Sequence, residues 1–513
     1  MPLVKEEGGY YDRDPRDYEL KVGIVFPGPY RASINSLGHQ LIYYLANEVE
    51  GVIAERFVSD VPRSVDGSLR PCDLDLMLVS IHYEGQIHTF LRMLHDWRIP
   101  AKRERRELLI IAGGPALNNP LPVSGIFDGI VIGDGEEIVP KILKMIVEGA
   151  PFEEIASING LYVKGKRNVR FQRSNMEYLP ETQIMAHLPE GKNPFLLEVS
   201  RGCSQGCRFC LLGWTQRPRR DRSLRQIEEQ IEIAADLGFD KIYLIASDLL
   251  SHPSAADIMK KILDEGLKLS TPSLRADQVS EDVLEVLKMA KVRTVTIAPE
   301  TGSWRVKLGI NKPMENKEIL DVAKDLKEIS GIRKLKTYFM LGFPFEKLDD
   351  VRESAKLALD LSNIGLELDV SISQFIPKPH TPFQRTPLEK PDVYREKVRF
   401  FESFSGVRVK ATHPGRNFVQ AVISLGDERL EDVLIPASLG PYRASRYKRL
   451  AEERGVSLEY VYDRARPVPW TKAVNTEVKP EYLKEEVERS IRLEVTPSCN
   501  VACTDCGICP IRS

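Results

Sequence analysis

From residue 21 to about 149, short continuous apolar runs alternate with segments whose apolar residues recur every three to four positions. The runs are KVGIVFP, GVIAERFV, LDLMLVSI, LLIIAGG and GIVIGDG, and the periodic segments predict helices near 34–49, near 86–97 and from Glu136. Strands apolar on both faces and separated by helices predict a doubly wound parallel sheet of Rossmann type over residues 1–150. Five strands suggest a flavodoxin-like order, with any ligand beyond the carboxyl ends of the strands.

A second alternation occupies 194–400, through FLLEVS, KIYLIAS, LKLSTPS, VRTVTIAP, LKTYFMLG and LDVSISQF, with amphipathic helices such as SLRQIEEQIEIAADLG between them. This pattern predicts a partial (βα)6 barrel whose functional residues lie at the strand C-termini. Residues 151–193, with a hairpin expected in GLYVKGKRNVRFQ, read as a linker. Residues 401–513 read as a mixed α/β C-terminal domain with one extended segment, GVRVKAT, several helices and a cysteine-rich tail.

Composition sharpens this only in part. The chain has 513 residues, 42% hydrophobic and 28% charged, with a net charge of -2, which excludes disorder and any global field toward nucleic acid. No apolar run reaches 18 residues and the N-terminal segment is too charged for a signal peptide, so a cytoplasmic protein without a membrane partner is expected. The basic runs KRERR at 102–106 and RPRRDR at 217–222 permit phosphate or nucleic-acid contact without demanding it, since a solvated helix face explains the first equally well.

The eight cysteines change the picture most. Cys203, Cys207 and Cys210 form C-x3-C-x2-C directly after the first barrel strand. Three thiolates this close can hold three irons of a four-iron, four-sulfur cube and leave the fourth iron open for an exogenous ligand. Zinc and buried structural thiols are the alternatives; structural zinc wants four ligands, and buried thiols need no fixed spacing. Cys499, Cys503, Cys506 and Cys509 form C-x3-C-x2-C-x2-C, which repeats the first spacing and the expected strand before it. With no barrel after them, these four suit a fully ligated second cube, with zinc as the alternative. Cys72 stands alone.

The first spacing, the strand before it, Phe209 ahead of the third cysteine and the following βα units resemble the radical S-adenosylmethionine (SAM) superfamily over residues 190–380. In that family the open iron binds the amino and carboxylate groups of SAM, and electron transfer cleaves the sulfonium to methionine and a 5′-deoxyadenosyl radical. The resemblance implies that Glu300, in IAPETGSWR, accepts the ribose hydroxyls, with a helix N-cap as the plain alternative. It implies Arg275 as a fork for the SAM carboxylate, with an ordinary salt bridge as the alternative, and Gly342, in MLGFP, as the adenine-contacting turn, with a simple turn before Pro344 as the alternative. The family's Gly-Gly-Glu after the second strand is replaced here by Ala246, Ser247 and Asp248, of which Ser247 and Asp248 offer similar acceptors.

With the N-terminal sheet included, the chain resembles the cobalamin-binding-domain branch of that superfamily. Gly113, Gly114, Gly133 and Gly135 end its fourth and fifth strands and would let a corrin approach the backbone; tight βα turns explain them equally well. The cobalt-ligating D-x-H-x-x-G is absent after the first strand, and His82 reads as an ordinary loop histidine. The resemblance implies modification of an unactivated C–H bond, with cobalamin-dependent methyl transfer left open. Sulfur insertion of the methylthiotransferase kind and a non-enzymatic iron–sulfur carrier or redox sensor are the alternatives. The substrate is not legible, and the expected protein partner is an electron donor such as ferredoxin or flavodoxin.

Overall fold

The computed structural model describes residues 4–11, 13–67 and 69–509. The chain divides into two compact units: one of residues 1–193, 422–460 and 467–477, the other of 194–421, 461–466 and 478–513.

The first unit is built on five parallel strands, β1 (Leu20–Phe26), β2 (Val52–Val58), β3 (Leu76–Ser80), β4 (Leu109–Gly113) and β5 (Gly129–Val131). The sixth, β6 (Leu161–Tyr162), is an antiparallel edge, and the order is β2-β1-β3-β4-β5-β6. The flavodoxin-like order expected from the sequence is therefore present. Val22, Ile24, Leu76 and Ile110 are wholly buried, each such side chain contributing roughly 1.5–3 kcal/mol. Helices Leu37–Asn47, Gly85–Asp96 and Ile138–Val147 stand where the apolar periodicity predicts them.

The expected hairpin does not form. Leu161–Tyr162 pairs with β5, whereas β7 (Val169–Arg170) runs parallel to a distant segment, Val474–Asn475. A Gly133–Gln172 bridge draws the chain across the end of β5, and a local turn cannot compete with these longer-range partners.

The second unit carries two parallel sheets. One orders β8 (Phe195–Glu198), β9 (Lys241–Ile245) and β10 (Lys268–Ser270); the other orders β11 (Thr294–Glu300), β12 (Lys334–Leu341), β13 (Glu367–Gln374) and β14 (Val409–Ala411). A parallel bridge between Leu274 and Ile297 links the two. The six expected strands are all present, and GVRVKAT adds β14, parallel to β13, as a seventh. Helices follow the strands, among them Leu224–Asp236, whose start is fixed by a capping box between Ser223 and Gln226. Ile227, Ile231, Ile242 and Leu244 are wholly buried where that helix meets the sheet. No helix among the described residues is long and apolar enough to cross a membrane.

Candidate active site in the barrel unit

Past β8 the chain pairs Ser200–Arg201 antiparallel with Arg220–Asp221, so that residues 202–219 leave and return through one narrow neck. Arg201 donates twice to Glu198, each at 2.9 Å, and Arg222 donates to the same carboxylate at 3.1 Å, fixing the neck to the strand end. Gly202 has φ +81°, and a Cβ there would lie 2.3 Å from the Gln216 carbonyl oxygen, so the neck needs glycine. Cys203, Cys207 and Cys210 lie on the enclosed loop, all half-buried, and Cys210 caps the short helix Leu211–Thr215.

The three thiols act on one another. Burial, then the neighbouring Cys207, Asp248 and Cys210, push the Cys203 thiol up to about 12, and burial and Cys207 push Cys210 up to about 11. Loading iron therefore requires release of protons that the bare loop holds firmly. Among the described residues no three His, Cys, Asp or Glu side chains converge on a point for a single ion. A cube needs no such point, because each thiolate binds its own iron.

Asp248 follows β9, buried, and accepts from Gln205 Nε2 at 3.2 Å and Ser251 Oγ at 2.7 Å, while Arg219 donates to its carbonyl oxygen at 2.6 Å. Ser247 is exposed beside it. Arg275 follows β10; it is paired with Asp277 at 2.6 Å and lies within electrostatic reach of Cys207 and Asp248. Glu300 ends β11 with φ +62°, nearly buried, and accepts from Lys312 Nζ at 2.9 Å. It is not a helix N-cap, since Ser303 takes that role for Trp304–Gly309. Both Glu300 and Lys312 reach Cys210 electrostatically. Phe209 packs on Phe343 at 5.9 Å between ring centres, at the edge of a cluster with Val306, Ile310, Phe375 and Phe383. The structure thus gathers the three thiols, Asp248, Arg275 and Glu300 around the carboxyl ends of parallel strands.

Gly342 follows β12 with φ +92°, and its N–H donates to Glu346 at 2.8 Å. Sequence reading missed the buried group around it: Lys397 bonds Glu346 at 2.8 Å and Glu389 at 2.5 Å. Burial pushes the Glu346 carboxyl up to about 7 against the pull of Lys397. Also missed was Arg208, between Cys207 and Phe209. It is fully buried, pairs with Glu486 at 3.0 Å, and donates to the carbonyl oxygens of Leu308, Gly309 and Glu494. No local signal marks it, because the loop SRGCSQGCRFC is itself polar and its partners lie far along the chain.

The tail sits in this same unit. Helix Pro480–Arg492 ends at Leu493, and no strand precedes the cysteines, contrary to expectation. Asn311 replaces a strand partner: its Nδ2 donates to the carbonyl oxygens of Gly206 and Thr496, and its Oδ1 accepts from Thr496 N–H. Cys499, Cys503 and Cys509 are exposed and Cys506 is half-buried against Trp214, Tyr482 and Leu483. Pro510 lies outside the described residues.

In the first unit, a Cβ on Gly114 would lie 2.4 Å from Ile81 O and one on Gly133 2.2 Å from Gln172 O, both at positive φ. The chain's own backbone fills those two places, so they form no cradle for a corrin. A Cβ on Gly113 would meet only Val131, at 3.6 Å and beyond, and one on Gly135 would meet Ile42 at 3.2 Å. His82 is exposed, with its ring Nε2 3.3 Å from Ser36 Oγ. The basic runs are largely spent internally: Arg106 on Asp128, Lys102 on Glu431 and Asp432, Arg219 on Asp221 and Arg222 on Glu198.

Residues 197–358 match the model of the radical SAM superfamily, and 38–163 that of radical SAM proteins, N-terminal. The chain belongs to the radical SAM superfamily. It is an enzyme of that superfamily. An uncharacterized protein of Methanocaldococcus jannaschii is 26% identical over 430 residues, covering 80% of this chain and 90% of its own. A putative methylthiotransferase of the same organism is 26% identical, over 49% of this chain and 56% of its own length. A tRNA-2-methylthio-N(6)-dimethylallyladenosine synthase of Chromobacterium violaceum is 24% identical, over 54% and 66%. In fold, the chain is similar to TsrM of Kitasatospora setae, a radical SAM methyltransferase solved with cobalamin and a four-iron, four-sulfur cluster bound. Their TM-score is 0.55 at 16% identity, covering 71% of this chain and 76% of that one.

Proposed function

We propose that the chain is a radical SAM transferase whose first cysteine group, Cys203, Cys207 and Cys210, holds the SAM-binding cube, and that it modifies an unactivated C–H bond. The observation that carries this reading is the gathering of three half-buried thiols with Asp248, Arg275 and Glu300 at the carboxyl ends of the parallel strands. When bound, the cube supplies the electron that cleaves SAM.

The chain's own residues do the rest. The neck made by Arg201, Arg222 and Glu198 holds the loop closed, and Gln205 and Arg219 tie it to Asp248, the acceptor for the SAM amino group. Arg275 offers N–H groups to the SAM carboxylate while Asp277 orients it. Glu300 accepts the ribose hydroxyls, with Lys312 holding the carboxylate in place. Phe209 and Phe343 keep water from that side. Gly342 turns the chain for adenine beside the Glu346 group.

The tail cysteines are proposed to hold a second cube that relays electrons from a one-electron donor protein of the ferredoxin or flavodoxin kind. The fold likeness to a cobalamin-bound methyltransferase supports methyl transfer with cobalamin on the first unit; Gly114 and Gly133 lend it no support. Sulfur insertion is the second reading, favoured by the methylthiotransferase relatives, of which the chain spans 56% and 66%. Anaerobic reconstitution with SAM and dithionite, followed by mass analysis of products, tests the reading. Methionine with 5′-deoxyadenosine is expected; a methylated product selects methyl transfer and a thiolated one sulfur insertion. An iron-loaded enzyme that leaves SAM intact refutes it.

A further inference from the structure

Arg217 is 3% exposed, and a guanidinium buried that deeply must be met by acceptors and counter-charge. Its Nε donates to Gly213 O at 2.7 Å and its terminal nitrogen to Gln205 O at 3.3 Å, inside the first cysteine loop. Its plane lies 4.1 Å from the centre of the Trp214 ring. Trp214 donates in turn to Cys207 O at 2.9 Å, and its other surroundings are Val478, Tyr482, Leu483 and the tail residues Cys506 and Ile508. Cys499, Cys506 and Tyr482 lie within electrostatic reach of Arg217, and Cys506 packs against the cluster that contains the Trp214 ring over which the guanidinium lies. Next to it, Cys499 N–H donates to Ser204 O at 2.9 Å. One buried cation, held by the first cysteine loop, therefore lies beside the tail's sulfurs, which would supply its counter-charge as thiolates once they ligate iron.

We propose that Arg217 is a positioning residue for the tail cluster: it donates to the Cys506 sulfur, seats the tail on the first cysteine loop, and raises the tail cluster's reduction potential. This rests on the reading that the tail binds an iron–sulfur cube. Hydrogen bonds to ligating sulfurs and the local net charge set such potentials. A cation beside the cluster favours the reduced, more negative state, so the guanidinium makes the tail cluster easier to reduce. The structural partners on the loop, Gln205 and Gly213, keep the guanidinium aimed whether or not iron is present.

The test uses the full chain with Cys203, Cys207 and Cys210 all replaced by Ala, so that only the tail can carry a cluster. Its midpoint potential is read by electron paramagnetic resonance during an anaerobic redox titration, for Arg217, Arg217→Lys and Arg217→Gln. The expected result is a shift to more negative potential in both variants, larger for Arg217→Gln, which loses the charge, than for Arg217→Lys, which loses only the fork. Should Arg217→Gln fail to fold or load iron, Arg217→Lys alone decides. Loss of tail iron from a folded Arg217→Lys chain supports the positioning role, and an unchanged potential in a loaded one overturns the proposal. If the parent triple-Ala chain carries no cluster at all, the second-cube reading falls and the proposal with it.

Discussion

The two cysteine groups share C-x3-C-x2-C, yet their settings differ in nearly every physical respect. The first lies in a loop closed at its neck by Ser200–Arg201 and Arg220–Asp221, with all three thiols half-buried. The second lies on irregular chain beyond a helix, with three of four thiols exposed. Equal spacing thus sits in unequal surroundings, and the surroundings decide what chemistry each group can support. What separates them is the surroundings: Asp248, Arg275 and Glu300 bear on the first group, whereas Arg217 and Lys479 bear on the second.

The largest expected effect sharpens that difference. Replacing Cys203 by Ala should abolish SAM cleavage, a loss of at least about a thousandfold of the kind that follows removal of an essential catalytic group. Replacing Cys503 by Ala should leave dithionite-driven cleavage measurable, because a chemical reductant bypasses a relay. Quantifying 5′-deoxyadenosine by mass spectrometry checks both; equal loss in the two variants would erase the distinction.

Next in size is the anchor between the groups. Arg208 stands between Cys207 and Phe209 and reaches the segment ahead of the tail through Glu486 and Glu494 O. Arg208→Met leaves Glu486 buried without this partner, a change expected to cost about 3–5 kcal/mol. Chemical denaturation monitored by circular dichroism measures it. A cost near that of a surface substitution would mean the two segments fold independently.

A smaller effect sets the buried Glu346–Lys397–Glu389 group of the same unit against the exposed charges of the tail. Glu346 is held well above the ordinary carboxylate range, at about 7 against 4.5, because burial outweighs Lys397. The folded chain therefore binds this proton more tightly than the unfolded chain, and the stability it confers is present below about 4.5 and lost as pH rises through about 7. Glu346→Gln should flatten the stability profile across that window by about 3 kcal/mol, with Lys397 still paired to Glu389. Urea midpoints at several pH values check it; an unaltered slope would contradict the assignment.

Much of the fold was legible because its strands are apolar on both faces and its helices periodic, patterns that depend on near neighbours. The three-cysteine loop was legible for the same reason: its ligands lie within eight positions. Glu300 and Arg275 could be placed at strand ends only through a family resemblance. Arg208 and Asn311 were invisible because their partners lie a hundred or more positions away, and Lys397 because Glu346 lies 51 positions from it and Glu389 is eight positions off, ahead of the helix that carries Lys397; no local pattern records such pairs. GLYVKGKRNVRFQ misled because its turn residues signal a hairpin locally, while β5 and Val474–Asn475 supply longer-range partners. Gly133 has a similar lesson, since Gln172, remote in sequence, is what makes glycine necessary there.

The most direct test of which cysteine group binds SAM is electron paramagnetic resonance of the reduced chain with and without SAM, in two variants. One carries only the first group, with Cys499, Cys503, Cys506 and Cys509 changed to Ser; the other carries only the tail, with Cys203, Cys207 and Cys210 changed to Ala. The account predicts that SAM alters the spectrum of the first variant, whose cube has an open iron, and leaves that of the second unchanged. A SAM-dependent change in the tail-only variant, or none in the variant keeping Cys203, Cys207 and Cys210, would contradict it.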